Sequence, residues 1–247
     1  MIYRKPLIFM KPNGGVSGAS RQKGGVSGNI GNQGIPVAKT IDEANALAVN
    51  LGLAGRANFT GIDVPCANTL IQALNDTHKI IPALGAIPFF GSDIQYEGKV
   101  GKYALAAVYS EYDKSHALVL SSSKFNTQNL TSILGDLKLA EALRVHPLGT
   151  ASIKGVIDHE IGHVLDHLNA NVNGKLLNED KVIKGLFRQY GGKKHYIMER
   201  NLSSYASTST KEFIAEAWSE YRNNPEPRPA AKAVGSRIME LLGGQSK

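Results

Sequence analysis

The chain is organised around residues 152–169, which read SIKGVIDHEIGHVLDHLN. The apolar positions of this segment recur at helical spacing: Ile157, Ile161, Val164 and Leu168. An amphipathic helix is therefore predicted. His159 and His163 lie one turn apart beside the apolar stripe, so both imidazoles can converge on one ion. Glu160 lies about 100° around the helix from His159, near enough to reach a water on that ion without being a ligand.

This H-E-x-x-H pattern leaves the third protein ligand of a catalytic metal site unidentified. A metzincin would place glycine and histidine where Asp166 and Asn169 stand, so that class is excluded. A thermolysin-like site would use a glutamate further along the chain, for which Glu179 is the candidate. Glu179 is nearer to His163 than that class has it, and Asp180 beside it is well placed to begin a helix.

A second candidate for the third ligand lies in residues 211–222, which also have a helical pattern. Glu212 and Glu216 are one turn apart there and share a face, beside an apolar stripe that includes Trp218. In one interpretation, Ser209 and Glu212 form a capping box and Glu216 is exposed. In the other, Glu212 is the third ligand and Glu216 accepts a hydrogen bond from a ligating histidine, which fixes the tautomer of that histidine.

Residues 153–222, under a third of the chain, resemble a known family. The matching residues are His159, Glu160, Gly162, His163, Asp166, Tyr205, Glu212, Ala215 and Glu216. In this order they resemble the gluzincin-type zinc metallopeptidases that include the catalytic domain of anthrax lethal factor and phage-encoded relatives. The resemblance implies an α+β, zincin-like fold with a small mixed sheet and an H-E-x-x-H active-site helix. It also implies a zinc-dependent endopeptidase that acts on a protein or peptide substrate.

Carried over residue by residue, the resemblance implies Zn2+ held by His159, His163 and Glu212. Two imidazoles and one carboxylate leave the ion a net charge of about +1 and an open position for water. Glu160 would activate the zinc-bound water and pass its proton to the leaving amine. Tyr205 would donate a hydrogen bond to the oxyanion, a role that suits a phenol because it keeps its proton at neutral pH.

Other residues are expected to support the metal site. Glu216 is expected to orient a zinc-binding histidine. Asp166 is expected to orient neighbouring groups, and the alternative is an exposed acidic residue of the helix. Gly162, between the two histidines, is expected to let another backbone approach closely. His167 is not expected to be a ligand, because three histidines at i, i+4 and i+8 diverge too far to bind one ion. The remaining histidines receive no role: His78, His116, His146 and His195.

Two other hypotheses stay open at this point. A virion or head-associated structural protein of a phage would keep the same fold with little or no protease activity. Residues 1–36 form a Gly- and Ser-rich arm in which GGVSG occurs at 14–18 and again at 24–28. Such composition is typical of a flexible segment, and the arm would suit docking on phage structural proteins. The third hypothesis is an H-E-x-x-H helix that binds no metal.

The rest of the chain predicts a zincin-like domain over residues 37–247, with a helical part at 37–82 and a sheet and catalytic part at 83–247. Helices are predicted after a capping box of Thr40 and Glu43, and at 64–80 with Asp63 as N-cap. The other predicted elements are strands at 86–90, 103–109 and 117–120 and helices at 129–145 and 230–242. In the family an edge strand aligns an extended substrate, and residues 117–120 are the candidate for that strand.

Composition and charge exclude several classes of protein. Of the 247 residues, 42% are hydrophobic, and the single cysteine, Cys66, excludes an internal disulfide and multi-cysteine metal sites. No apolar run approaches the roughly 20 residues needed to cross a bilayer. The N-terminus also lacks a signal-peptide pattern, so we expect no membrane association. Together with this, the resemblance to phage-encoded proteins implies a location in the bacterial host cytoplasm or the phage virion. The net charge of +7 is spread along the chain, so nucleic-acid binding is not expected.

Overall fold

The computed structural model describes residues 35–94, 105–110 and 116–244. These residues form eight α-helices and a four-stranded sheet, which confirms the predicted α+β class. The helices are α1 (Ile41–Asn50), α2 (Val64–Ile80), α3 (Thr127–Ala142), α4 (Ile153–Asn173), α5 (Lys181–Gln189), α6 (His195–Asn201), α7 (Thr210–Asn223) and α8 (Pro229–Leu241). The strands are β1 (Ala54–Asn58), β2 (Ile87–Ser92), β3 (Ala106–Ser110) and β4 (His116–Leu120). The predicted arm, residues 1–36, lies almost entirely outside the described residues.

The sheet is mixed and has the strand order β1-β2-β4-β3. β1 and β2 are parallel, as are β2 and β4, whereas β3 is antiparallel to β4. The prediction that residues 117–120 form an edge strand is therefore wrong. All four of these residues are buried, as expected for a strand with neighbours on both sides. Within the described part of the sheet, the edge strands are β1 and β3.

Strand β1 is not predicted by the sequence. Its residues, AGRAN, lack the β-branched and aromatic side chains typical of strands. Close backbone packing accommodates it, since a Cβ on Gly91 of β2 would lie 2.0 Å from the carbonyl oxygen of Asn58. β1 comes between α1 and α2, so residues 37–82, predicted to be the helical part, also contribute a strand to the sheet.

Capping side chains set the starts of the first helices only partly as predicted. Thr40 accepts a hydrogen bond from the Glu43 amide at the start of α1, but the Glu43 carboxylate accepts one from the Lys39 amide. Helix α2 begins and ends at the predicted residues. The Asp63 side chain does not cap α2, because it accepts hydrogen bonds from the Thr127 amide and hydroxyl at the start of α3.

Helices α4 and α7 pack against each other at short range. A Cβ on Gly162 of α4 would lie 2.7 Å from Cα of Ala215 on α7, so the expected close approach at Gly162 is confirmed. Ser219, one turn after Ala215, donates a 2.8 Å hydrogen bond to the carbonyl oxygen of Gly155, which lies two turns before Gly162. Side chains that flank Gly162 and Ala215 are thereby brought into contact range.

One cluster of buried apolar residues extends from Ala38 to Leu242 and joins the sheet with helices from both ends of the chain. Trp218 of α7 is fully buried in this cluster. Helices α5 and α6 are not predicted from periodicity, although Asp180 caps α5 as expected for a helix start. None of the helices in the described part of the chain combines the length and apolar character needed to cross a bilayer.

Candidate metal centre

Three side chains meet where α4 packs on α7. His159 and His163 come from α4, and Glu212 comes from the first turn of α7. Glu212 Oε2 lies 3.4 Å from His159 Nε2 and 3.4 Å from His163 Nε2. The three ligand atoms all lie within 4.8 Å of one another, so these residues could hold a metal ion. His159, His163 and Glu212 are called the metal group below.

Two of the three distances within this group fit a tetrahedral ion. With metal–ligand bonds of about 2.0–2.2 Å, neighbouring ligand atoms of a tetrahedral site lie about 3.3–3.6 Å apart. Both 3.4 Å distances from Glu212 Oε2 fall in that range. Among the described residues, this buried oxygen receives no well-formed hydrogen bond. A buried carboxylate oxygen in that state is costly unless a cation neutralises it.

The charges around His159 also favour a bound cation. Burial alone would lower the pKa of His159, but the adjoining carboxylates of Glu212 and Glu216 and the nearby charge of Glu160 raise it to about 10. Burial alone would raise the pKa of Glu212, but His163 and His159 hold it well below its usual value. The carboxylates thus stabilise positive charge at this point, and a proton and a metal ion compete for it.

Glu216 contacts the other nitrogen of the His159 ring. Glu216 Oε1 lies 2.9 Å from His159 Nδ1, and Ser203 Oγ donates a 2.6 Å hydrogen bond to Glu216 Oε2. The imidazole N–H is poorly aligned with Oε1, but two facing lone pairs at this distance would repel, so Nδ1 carries a proton. His159 Nε2 is then the nitrogen available to an ion. Glu216 is 1% exposed, so the interpretation with an exposed Glu216 is wrong.

Glu160 lines a cleft beside the metal group. The cleft has a volume of about 330 Å³, and His163 and Glu212 form part of its wall. Burial raises the pKa of Glu160, although His159 and His163 act in the opposite direction. A carboxyl group with a raised pKa can take up and release a proton nearer neutral pH, as general acid–base catalysis requires.

Tyr205 lies beside the metal group without facing the cleft. Its ring centroid is 6.2 Å from that of His159, and its ring packs edge-on to His146 with 5.7 Å between centroids. Tyr205 is not among the described residues that line the cleft. Burial raises the pKa of Tyr205, and the carboxylates of Glu212 and Glu216 add to this effect. The phenol therefore keeps its proton and is a hydrogen-bond donor near the metal group.

The other candidate residues lie outside the group that could hold a metal among the described residues. Asp166 is buried and accepts two 2.7 Å hydrogen bonds, from the amide and the side chain of Asn178. It therefore anchors the segment before α5. Glu179 is exposed, and neither it nor His167 belongs to the group that could hold a metal among the described residues. Ser209 accepts a hydrogen bond from the Glu212 amide, so the capping interpretation is correct for Ser209.

Two residues of this site, His146 and Ser203, are missed by sequence reasoning. The sequence assigns nothing to His146, but its Nδ1 lies 3.2 Å from Glu216 Oε1. His146 stands in the connection between α3 and α4, where no periodicity or motif marks it. It is 70 residues from Glu216 in the sequence, so only the fold brings the two together.

Comparisons with known proteins give no family assignment. No protein-family model matches the chain, and no curated protein is similar enough to count as a match.

Proposed function

We propose that this protein is a zinc-dependent endopeptidase with a zincin-like fold of the gluzincin type. The observation that carries the proposal is the position of Glu212 Oε2, 3.4 Å from both His159 Nε2 and His163 Nε2. Two imidazoles and one carboxylate are the donor set of many catalytic zinc sites, which keep a fourth position open. Glu160 follows His159 in the sequence and lines the adjoining cleft, where a base is required.

The side chains divide the steps of peptide hydrolysis among them. When bound, zinc supplies the Lewis acidity that activates a water and polarises the peptide carbonyl. Glu160 accepts the proton of the attacking water and delivers it to the leaving amine, and its raised pKa suits this exchange. Tyr205 keeps its proton and donates a hydrogen bond to the oxyanion. This role requires the Tyr205 phenol to face the cleft when substrate is bound.

The substrate is proposed to enter as an extended peptide along β3. This strand is an edge of the described sheet, and its residue Val108 lines the cleft. An edge strand presents backbone N–H and C=O groups that a peptide can pair with. β3 therefore replaces residues 117–120 as the candidate for the strand that aligns the substrate.

Replacing Glu160 by glutamine tests the proposed mechanism. Glutamine keeps the size of the side chain but cannot accept a proton at neutral pH. We expect hydrolysis of unfolded protein substrates, followed by mass spectrometry, to fall at least about 100-fold. Zinc content, measured by atomic absorption, should stay equal to that of the wild type. Glu179→Gln makes the same chemical change at an exposed position and should leave both quantities unchanged.

Three results of this experiment would count against the proposal. Equal hydrolysis by the wild type and Glu160→Gln would refute the role of Glu160. Wild-type protein that takes up no zinc would refute the metal site and favour the metal-free hypothesis. Zinc uptake without hydrolysis of any unfolded substrate would favour a structural role, such as the phage virion role, which stays a prediction.

A further inference from the structure

The carboxylate of Glu216 has a second imidazole neighbour besides His159. His146 is 5% exposed, and its Nδ1 lies 3.2 Å from Glu216 Oε1, the same oxygen that lies 2.9 Å from His159 Nδ1. Ser203 Oγ holds the other oxygen at 2.6 Å. Both oxygens of this buried carboxylate are therefore held by side chains from outside α7.

These contacts determine which nitrogens carry protons. Ser203 Oγ donates to Glu216 Oε2, and the Nδ1 atoms of His146 and His159 lie 3.2 Å and 2.9 Å from Oε1, so Glu216 is the acceptor in these contacts. A carboxylate that only accepts needs an N–H at both Nδ1 atoms. His146 and His159 thus both present Nδ1–H to Glu216, and the ring of His159 is held with Nε2 towards Glu212.

The segment that contains His146 also contacts Tyr205. The Tyr205 amide donates to the carbonyl oxygen of Val145 at 3.2 Å, and the Ser204 amide donates to that of Arg144 at 2.8 Å. The rings of His146 and Tyr205 pack edge-on, with 5.7 Å between centroids. A single short segment after α3 therefore contacts both Glu216, which lies next to His159, and Tyr205, the proposed oxyanion donor.

We propose that His146 is a positioning residue that holds Glu216 and Tyr205 in the arrangement needed for metal binding and hydrolysis. Among the described residues, His146 belongs neither to the group that could hold a metal nor to the lining of the cleft, and it acts through these two side chains. This inference rests on the proposed zinc site, because its effect is measured at that site. Outer partners of metal-binding histidines commonly change metal affinity about 10-fold or more when they are removed.

Three substitutions of His146 test the inference. In His146→Asn, the side-chain amide nitrogen takes the place of Nδ1 and can still donate to Glu216. In His146→Gln, the amide nitrogen takes the place of Nε2, and in His146→Leu no donor remains. Leucine is preferred to alanine because it fills most of the space of the ring and keeps water from replacing the lost donor.

The readouts are zinc affinity, cobalt absorption and steady-state kinetics. We expect His146→Leu and His146→Gln to weaken zinc binding about 10-fold in chelator competition, whereas His146→Asn stays within about threefold of the wild type. The visible spectrum of the Co2+-substituted protein should change for His146→Leu and His146→Gln and stay the same for His146→Asn. At saturating zinc, kcat of His146→Leu should fall with little change in KM, because the Tyr205 donor acts in the transition state.

Control measurements separate positioning from folding. His195 is exposed and pairs with Ser207, so His195→Leu should leave zinc affinity and the cobalt spectrum unchanged. Thermal unfolding of the metal-free proteins shows whether each variant folds. If His146→Leu does not fold, the comparison of His146→Asn with His146→Gln tests the inference, because both new side chains are polar and close in size to histidine.

The outcomes of this experiment separate the inference from the proposed function. If the wild type binds zinc and His146→Leu and His146→Gln keep its affinity and cobalt spectrum, the inference alone is overturned. Wild-type behaviour in His146→Gln and not in His146→Asn would also overturn it, because the contact is made by Nδ1. Wild-type protein that binds neither zinc nor cobalt would overturn the metal site, and the inference with it.

Discussion

Glu212 and Glu216 lie one turn apart on α7 and serve different parts of the same histidine pair. Glu212 presents one oxygen to the Nε2 atoms of His159 and His163, whereas Glu216 contacts His159 at Nδ1. Both glutamates are buried, and the surrounding histidines hold their pKa values below the usual range. At this scale, one carboxylate is the candidate ligand and the other contacts the second ring nitrogen of a candidate ligand.

The stability of the metal-free protein should depend on pH through these residues. The pKa of His159 rises from 6.5 to about 10 on folding, so its contribution is fully present below pH 6.5 and is lost as pH rises through about 10. The pKa of Glu212 falls below its usual 4.5, so its contribution is present above pH 4.5 and is lost as pH falls through the lower, folded-state value. Between these limits both contributions are present.

Urea unfolding in the presence of a chelator, from pH 4 to pH 10, measures this dependence. The free energy of unfolding should fall on the alkaline side, and His159→Gln should flatten that fall because it removes the titrating imidazole. A wild-type free energy that stays constant or rises between about pH 7 and pH 10 would contradict the assignment to His159.

At the scale of elements, the contact between α4 and α7 sets the geometry of the metal group. Gly162 lies between the two histidines on α4, and Ala215 lies between the two glutamates on α7. A Cβ on Gly162 would lie 2.7 Å from Ala215 Cα, closer than side chains approach backbone in proteins. The helix that carries the histidines therefore depends on a missing side chain to reach the helix that carries Glu212.

Gly162→Ala should force α4 and α7 apart. We expect a loss of about 1–3 kcal/mol in the free energy of unfolding, typical of overpacking, together with weaker zinc binding. Gly135→Ala in α3 and Gly185→Ala in α5 are matched controls, because a Cβ at either glycine meets no atom within 4 Å. Both controls should be neutral or stabilising by up to about 1 kcal/mol, since alanine is the better helix former. If Gly162→Ala behaves like the controls, the close contact does not control the site.

At the scale of the whole molecule, the metal group joins segments that are far apart in the sequence. His159 and His163 belong to α4 and Glu212 to α7, and both helices contribute to the apolar cluster that extends from Ala38 to Leu242. An ion that bonds to both helices would cross-link this core. Such an ion binds the folded chain only, so it should raise the stability of the whole protein.

Zinc should therefore raise the melting temperature of the protein. Free zinc at 100 times its dissociation constant contributes about 2.7 kcal/mol, which corresponds to roughly 5–10 °C for a chain of this size. Differential scanning calorimetry with zinc and with a chelator measures the shift. His163→Ala should abolish it, and His167→Ala should retain it because His167 lies outside the metal group. Loss of the shift in both variants would contradict the choice of ligands.

The sequence by itself determined the elements whose signals are local. The apolar spacing around His159 and His163 predicts α4, the residues at both ends of α2 define its bounds, and the stripe beside Trp218 predicts α7. Helical periodicity is readable in this way because the residues that define one face lie three and four positions apart. The same spacing places Glu212 and Glu216 on one face before any partner is known.

The tertiary structure decided which of these faces meet and what lies behind them. It formed β1 from a segment with no strand pattern, placed β4 inside the sheet, and brought His146 to Glu216 across 70 residues of sequence. It also brought Glu212, and not Glu179, to the two histidines of α4. Strand order and contacts between distant segments depend on how the whole core packs, and no pattern of neighbouring residues encodes that packing.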